Sequence, residues 1–270
     1  MGKTALATNI AYHIAKHHKV ERHPDGSDKT VDGAVVGFFS LEMSAEQLAT
    51  RILSEQTEIS SEKIRRGMIE EEEFKRLVLV SQEMSHVPLY IDQTGGISIA
   101  QLAARARKLK RQKGLGLLVV DYLQLLTGHK RVTDGRVQEV SEITTGLKAL
   151  AKELNVPIIA LSQLSRQVEN RDDKRPHLAD LRESGSIEQD ADVVMFVYRE
   201  EYYLEMAKPK EGTNEFGSWQ SKWADASGKA EVIIGKHRHG PTGNVDLAFE
   251  RQFTRFSSLE RRHQVPDYVR

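Results

Sequence analysis

Residues Leu115–Asp121 read LGLLVVD, an apolar run that ends on a carboxylate. The run is short and continuous instead of alternating, which is typical of a β-strand that is covered on both faces. Strands of this kind belong to parallel sheets that are flanked by helices. In such sheets ligands bind in the crevice outside the carboxyl ends of the strands. The stretch therefore predicts an α/β fold and places Asp121 at the ligand-binding edge of its sheet.

Further strand-like runs alternate with helical patterns along the chain. The predicted strands are Ala34–Ser40, Pro88–Asp92, Val156–Ser162 and Ala191–Tyr198, and the predicted helices are Ser44 to about Glu55, Ser98 to about Lys113, and Val137–Leu154. The first two helices begin with S-x-x-Q, a capping-box pattern, and the third carries apolar residues at helical spacing. This alternation predicts a mainly parallel sheet flanked by helices.

The last third of the sequence has a different pattern. Three short runs, Glu231–Arg238, Asn244–Glu250 and Phe253–Ser258, are separated by turn residues, which predicts added antiparallel strands. Two polar stretches, residues 19–33 and 200–229, are predicted to be surface loops inserted into the fold, the second with a short helix around Trp219 and Trp223. We expect a single domain over residues 1–270.

The composition limits the class of protein. The chain has 270 residues, of which 39% are hydrophobic and 29% charged, as in an ordinary soluble globule. No apolar run approaches the ~20 residues of a membrane span. Because there is no cysteine and no charged-then-apolar leader, we expect a cytoplasmic protein. The 39 basic residues balance 39 acidic ones, which excludes a globally basic nucleic-acid binder but allows a local basic stripe.

Gly2, Lys3 and Thr4, followed by a helical pattern to about Lys16, match the last half of the phosphate-binding motif G-x-x-x-x-G-K-[ST]. In that motif backbone N–H groups and a helix N-terminus surround phosphates, the lysine reaches the β/γ oxygens, and the hydroxyl holds Mg²⁺. On its own the triplet also fits an ordinary polar helix start. The first four motif positions would precede Met1, so we expect the chain as written to bind ATP weakly or not at all.

Three other polar residues follow predicted strands. Asp121 could hold Mg²⁺, Glu42 in SLEMS could orient and deprotonate a water, and Gln163 could sense a γ-phosphate. Taken singly, they also fit a turn-capping aspartate, a helix-leading glutamate and a polar loop residue. Together with Lys3 they converge on one edge of the predicted sheet, which favours an ATP site.

Five spaced strings carry a resemblance to a known family: SLEMS, VVDYLQL, SQLSRQVENR, DLRESGSIEQDAD and KHRHGPTG. In this order they resemble the replicative DNA helicases of the bacterial DnaB family, over essentially the whole chain. The resemblance implies a RecA-like P-loop NTPase core that works as the motor of a hexameric ring. Such a ring hydrolyses ATP with Mg²⁺, moves 5′ to 3′ on single-stranded DNA and unwinds the duplex at replication forks.

The resemblance also implies residue roles. Gly2, Lys3 and Thr4 correspond to the phosphate loop, Glu42 to the catalytic base, Asp121 to the Walker B carboxylate that shares Mg²⁺ with Thr4, and Gln163 to the γ-phosphate sensor. Arg238 resembles the arginine finger that acts on a neighbouring subunit, with Lys236 beside it. Arg182, Glu183 and Gly185 resemble the loop that follows the DNA backbone. The loop Thr127–Arg136, with Lys130 and Arg131, is either a second DNA-facing loop or an exposed linker.

The resemblance also implies binding partners, and the residues alone leave two other functions open. Its members carry an N-terminal helical domain and a linker helix, which we expect to be absent here, and they bind primase and a helicase loader through regions partly missing from this sequence. Two other functions stay open from the residues alone. One is a RecA-like recombinase that forms ATP-dependent filaments on DNA. The other is a non-enzymatic remnant that docks into helicase rings.

Overall fold

The structure is a computed structural model, and it describes residues 2–22, 24, 26, 28–128, 135–181 and 185–259. The helices are α1 (Lys3–Lys16), α2 (Ala45–Thr57), α3 (Ser61–Arg66), α4 (Glu71–His86), α5 (Ile99–Lys113), α6 (Arg136–Leu154), α7 (Gly185–Asp190), α8 (Glu200–Met206) and α9 (Asn214–Ala226). The strands are β1 (Lys19–Arg22), β2 (Asp28–Asp32), β3 (Val35–Ser40), β4 (Leu89–Asp92), β5 (Leu115–Asp121), β6 (Ile158–Ala160), β7 (Val193–Tyr198), β8 (Lys229–His237), β9 (Gly243–Glu250) and β10 (Arg255–Ser258). No helix within these ranges is both long and apolar enough to cross a bilayer.

A parallel sheet in the order β4-β3-β5-β6 forms the centre of the fold. Leu118 and Val120 of β5 pack under α5 and α6, whereas Leu117 and Val119 pack with the alanine face of α1 on the opposite side. β5 is thus covered on both faces, as its continuous apolar sequence predicts. The predicted α/β class is confirmed.

A second sheet is antiparallel, in the order β10-β9-β8-β7. The predicted C-terminal antiparallel strands are confirmed, but the assignment of residues 191–198 to the doubly covered parallel strands is wrong. β7 pairs antiparallel with β8. Val194 and Phe196 are buried while Val193 and Met195 are 42% and 49% exposed, so β7 alternates like a strand with one open face. β10 lies against α1, where the Phe256 N–H donates to Asn9 Oδ1 at 2.9 Å.

The two predicted surface loops contain regular structure. Residues 19–22 and 28–32 form an exposed antiparallel pair, β1 and β2, in which short segments with Val and Thr hydrogen-bond to each other. Residues 200–226 form α8 and α9, which are joined by the Trp219 indole N–H donating to Leu204 O at 2.7 Å. Three further helices, α3, α4 and α7, are not among the predicted ones. Two of them have local start signals: Ser60 caps α3, and Glu70 with Glu73 forms a capping box on α4.

Candidate functional site

The start of α1 lies at the carboxyl edge of the parallel sheet. Gly2 precedes the helix with φ +104°, and a Cβ atom there would lie 3.1 Å from the Phe256 ring, so both the backbone angle and the space favour glycine. The Lys3 ammonium donates to Ser162 O at 2.8 Å, which joins α1 to the turn after β6. The free N–H groups of the first turn of α1 and its positive dipole end therefore lie beside this turn, as an anion site requires.

Asp121 ends β5 inside this edge and is only 1% exposed. The Thr4 hydroxyl lies within hydrogen-bonding reach of its carboxylate, while Asp121 Oδ2 has no hydrogen-bond partner among the residues that the structure describes. A buried carboxylate oxygen beside a threonine hydroxyl suits Mg²⁺, which prefers oxygen ligands and takes only one or two from protein in phosphate sites. No cluster of three or more His, Asp or Glu that could hold a metal occurs in the described ranges, so this pair would share a metal with ligand oxygens.

Glu42 follows the neighbouring strand and is held close to Asp121 by the register of the sheet. Ser40 of β3 lies opposite Asp121, and the Leu41 N–H donates to Asp121 O at 2.8 Å. The Ser40 hydroxyl donates to Met43 O at 2.7 Å, which closes the turn that carries Glu42. Glu42 itself is exposed, so its carboxylate is accessible to water.

The charges at this edge perturb one another. Burial raises the pKa of Asp121, although Thr4 and Lys3 act in the opposite direction. Burial lowers the pKa of Lys3, and the nearby Asp121 and Glu42 carboxylates only partly offset this effect. The site thus holds charged groups in a partly desolvated place, which is typical of functional sites.

Arg51 is a site residue that sequence reasoning missed. Burial lowers the pKa of its guanidinium, which interacts with the carboxylates of Asp121 and Glu42. Arg51 is the only basic residue of α2, the helix that begins three residues after Glu42, and this was the available signal. It also lines a cavity of about 860 Å³ together with Met43, Thr50 and, from the C-terminal hairpin, Gln252 and Thr254, among others.

Gln163 lies in the turn after β6, which ends at Ala160, two residues earlier than its apolar run extends. The Gln163 side chain is exposed, whereas its backbone N–H donates to Gln124 Oε1 at 3.2 Å. The structure therefore brings Lys3, Thr4, Glu42, Asp121 and the Gln163 turn to one edge.

Lys236 and Arg238 lie elsewhere. Arg238 Nη1 donates to Asp192 Oδ1 at 2.9 Å and its N–H donates to Asp192 O at 2.8 Å, at the start of β7. Lys236 donates to Glu188 O of α7. Gly2 is near Val197, at the other end of β7. Val193 and Val197 are four residues apart, a separation of roughly 14 Å, so Arg238 is distant from its own chain's phosphate-loop residues.

The predicted DNA-contacting residues are only partly described. Arg182 and Glu183 lie outside the described residues, and Gly185 is the first residue of α7. Lys130 and Arg131 also lie outside them. The Arg136 guanidinium contacts Glu139 and the carbonyl of Gln124, so it is engaged within the protein and not presented as a free cation.

The architecture agrees with comparisons to known proteins. Residues 1–258 match the family described as DnaB-like helicase C terminal domain. The replicative DNA helicase DnaB of Rickettsia typhi is 50% identical over 262 residues, which cover 97% of this chain and 52% of that protein. The replicative DNA helicase DnaC of Bacillus subtilis is 45% identical over 262 residues, covering 97% and 51%.

Two solved structures are also similar. One is a DnaB-like replicative helicase described with its interactions with primase, with TM-score 0.78, 37% identity and coverage of 96% of this chain and 55% of that chain. The other is described as an ATPase domain, with TM-score 0.78, 36% identity and coverage of 96% and 81%. The chain spans about half the length of the curated relatives it matches. The resemblance seen in the sequence is confirmed, and the chain belongs to the DnaB-like helicase C-terminal domain family.

Proposed function

We propose that the chain is the ATP-hydrolysing motor domain of a replicative DNA helicase. The observation that carries the proposal is the buried Asp121 carboxylate, with an unpartnered oxygen, beside Thr4 and Lys3 at the N-terminus of α1. A helix N-terminus, a lysine and an oxygen pair suited to Mg²⁺ together form a site for a metal-bound polyphosphate.

Each residue has a defined task in this proposal. Lys3 and the N–H groups of α1 bind phosphate oxygens, and Thr4 with Asp121 holds Mg²⁺, which neutralises phosphate charge when bound. Glu42 orients the attacking water and accepts its proton, because its carboxylate is exposed at the edge of the site. Arg51 supplies a fixed positive charge beside both carboxylates. Gln163 reports the presence of the terminal phosphate.

The cavity next to Arg51 suits the nucleoside part of ATP. It borders Met43, which follows Glu42 directly, and extends to the C-terminal hairpin at Gln252 and Thr254. A volume of about 860 Å³ falls in the range of small-ligand sites. Its polar lining provides donors and acceptors for a ribose or a base.

Arg238 acts in trans in the proposed mechanism. Its distance from Gly2 along β7 prevents it from serving its own chain's phosphates without a large movement. An arginine delivered by a neighbour stabilises the transition state and makes hydrolysis depend on assembly. This requirement supports a ring, which we propose to be hexameric, that moves 5′ to 3′ on single-stranded DNA and unwinds forks. The similarity to a helicase described with primase supports primase as a partner, and we retain the loader as a proposed second partner.

The test is ATP hydrolysis and fork unwinding by the protein with the phosphate-loop motif completed upstream of Gly2. We expect Mg²⁺-dependent hydrolysis that single-stranded DNA stimulates. Glu42→Gln should bind Mg·ATP nearly as well as the parent and turn over ~10²-fold more slowly or worse, the usual scale for a lost general base. Glu72→Gln, an exposed α4 residue paired with Lys75, is the matched control and should hydrolyse ATP at the parental rate.

Three results would contradict the proposal. Parental turnover in Glu42→Gln would reduce Glu42 to a helix-leading carboxylate. Absence of ATP turnover in the parent would favour the non-enzymatic alternative, whereas strand exchange without unwinding would favour the recombinase.

A further inference from the structure

A glutamine outside the phosphate-loop residues joins two parts of the proposed site. Gln124 lies in the short 3-10 turn Leu123–Leu125 directly after β5 and is half-buried. Its Nε2 donates to Ser162 Oγ at 2.9 Å, and its Oε1 accepts from the Gln163 N–H at 3.2 Å. Both ends of the amide are therefore used, and both are used on the turn that carries Gln163.

The same turn is held from other directions. The Ser162 hydroxyl donates to Gln163 O at 3.3 Å, so it must accept from the Gln124 amide, which fixes the orientation of that amide. Lys3 donates to Ser162 O at 2.8 Å. The backbone that sets the position of the Gln163 side chain is thus linked to both the phosphate-loop lysine and Gln124.

Gln124 is also joined to α6 through its main chain. The guanidinium of Arg136, the first residue of α6, donates to the carbonyl of Gln124 and contacts Glu139 one turn later. Further along α6, the Thr144 hydroxyl donates to Asp190 Oδ2 of α7 at 2.7 Å. α7 begins at Gly185, the described member of the proposed DNA-contacting loop.

We infer that Gln124 is a positioning residue that fixes the Gln163 turn relative to α6 and thereby couples ATP hydrolysis to DNA. The inference rests on the proposed function and deepens it. Its physical basis is a set of hydrogen bonds that links the Lys3–Ser162–Gln163 turn through Gln124 and Arg136 to the start of α6, and links the middle of α6 through Thr144 to α7. Gln124 does not touch the reacting atoms, so its effect should fall on the coupling and not on ATP affinity.

The decisive variant is Gln124→Met, which has nearly the same shape and lacks both side-chain hydrogen bonds. The KM for ATP should stay within about threefold of the parent, whereas the ratio of DNA-stimulated to basal turnover should fall about tenfold, equivalent to about 1.4 kcal/mol. Arg136→Met removes the link to α6 without altering the amide of Gln124, and it should lower the same ratio. Gln112→Met, at an exposed position of α5, should keep the parental ratio.

A second measurement does not depend on turnover. Hydrogen exchange of the Gln163 amide should accelerate about tenfold in Gln124→Met, because its acceptor is lost, and should be unchanged in Gln112→Met.

The outcomes distinguish a failure of the proposed function from a failure of the inference about Gln124. If the parent shows no DNA-stimulated hydrolysis, the proposed function fails and this inference fails with it. If the parent is stimulated but Gln124→Met lowers basal and stimulated rates by the same factor, or raises KM alone, only the inference is overturned, and Gln124 is a structural residue. Unchanged exchange of the Gln163 amide would also overturn it.

Discussion

Replacing Asp121 with asparagine should stabilise the protein while it abolishes Mg²⁺-dependent activity. Asp121 is 1% exposed, and its Oδ2 has no partner among the described residues. Burial raises the pKa of Asp121 despite the opposing effects of Thr4 and Lys3. The charged form of this carboxylate is therefore destabilised in the folded protein relative to the unfolded chain. Asparagine has nearly the same shape and no charge. The parent protein is therefore less stable than it could be, because it keeps at this position a charged side chain that can bind a metal.

The size of the gain follows from the burial of this carboxylate. An unsatisfied buried polar group costs about 1–3 kcal/mol, and more when it is charged. Attraction to the positive charges of Lys3 and Arg51 offsets part of this destabilisation. We therefore expect Asp121→Asn to raise the free energy of unfolding by about 1–2 kcal/mol. In a chain of this size each kcal/mol shifts Tm by about 2–4 °C, which gives a rise of roughly 2–8 °C.

The pH dependence has a definite sign. Because the folded pKa of Asp121 lies above its ordinary value of 3.8, the stability contributed by its protonated form is present below that value and is lost as the pH rises through the raised folded pKa. The difference between Asp121→Asn and the parent should therefore be small near pH 4 and should grow as the pH rises through the raised folded pKa.

Asp92, at the end of β4, which β3 separates from β5, provides a matched control with the opposite sign. Burial acts to raise the pKa of Asp92, but hydrogen bonds from Arg105 and Thr94 outweigh it and lower the pKa. Arg105 Nη1 lies 2.6 Å from Asp92 Oδ2. Asp92→Asn should therefore destabilise the protein at neutral pH, by about 1 kcal/mol or less because the pair is partly solvated. That loss should disappear as the pH falls through the lowered pKa.

The assay is thermal unfolding, followed by circular dichroism in EDTA from pH 4 to pH 8, for the parent and the two variants. In the protein with the phosphate-loop motif completed, replacing EDTA with Mg·ATP should reverse the order of parent and Asp121→Asn, because ligand at about a hundred times its Kd adds about 2.7 kcal/mol to the form that binds it. A natively folded Asp121→Asn with a lower Tm than the parent at pH 7.5 in EDTA would refute the reasoning about burial at this site.

Two further predictions concern assembly and backbone geometry. Rings of Arg238→Ala and rings of Glu42→Gln should each be nearly inactive. A mixture of the two that has been dissociated and reassembled should exceed both in single-turnover ATP hydrolysis, because some interfaces then join an intact Glu42 to an intact Arg238. If subunit exchange is confirmed and the mixture is no more active than either variant alone, Arg238 does not act in trans. Gly33→Ala should destabilise the protein by about 3 kcal/mol or more, since φ is +58° and a Cβ would lie 2.4 Å from the backbone of α1. Gly114→Ala, with φ +76° and nothing within 4 Å, should lower the free energy of unfolding, measured by denaturant titration, by only about 1 kcal/mol. Equal losses in the two variants would show that the close contact at Gly33 does not matter.

Local sequence was sufficient for features that depend on neighbouring residues. The apolar run of β5 predicted its bounds, and Ser44 and Ser98 marked the starts of α2 and α5, where their hydroxyls accept from N–H groups three residues on. A capping box or a buried strand needs only contacts within a few residues or a uniformly apolar environment, so a short window carries the information. The motif order also predicted the family, and the polar residues that follow the strands predicted the edge of the sheet.

The tertiary structure decided what depends on the pairing of distant segments. The register that places Ser40 opposite Asp121 brings Glu42 to the site, and the packing of α2 brings Arg51 there. The one local signal for this arginine, that no other residue of α2 is basic, does not specify where the helix packs. β7 has the apolar content of a parallel strand, yet it pairs antiparallel with β8. This pairing places Arg238 at the end of β7 that is far from Gly2. Strand order and register arise from contacts between residues far apart in the chain, and a strand's own composition does not specify its partner or direction.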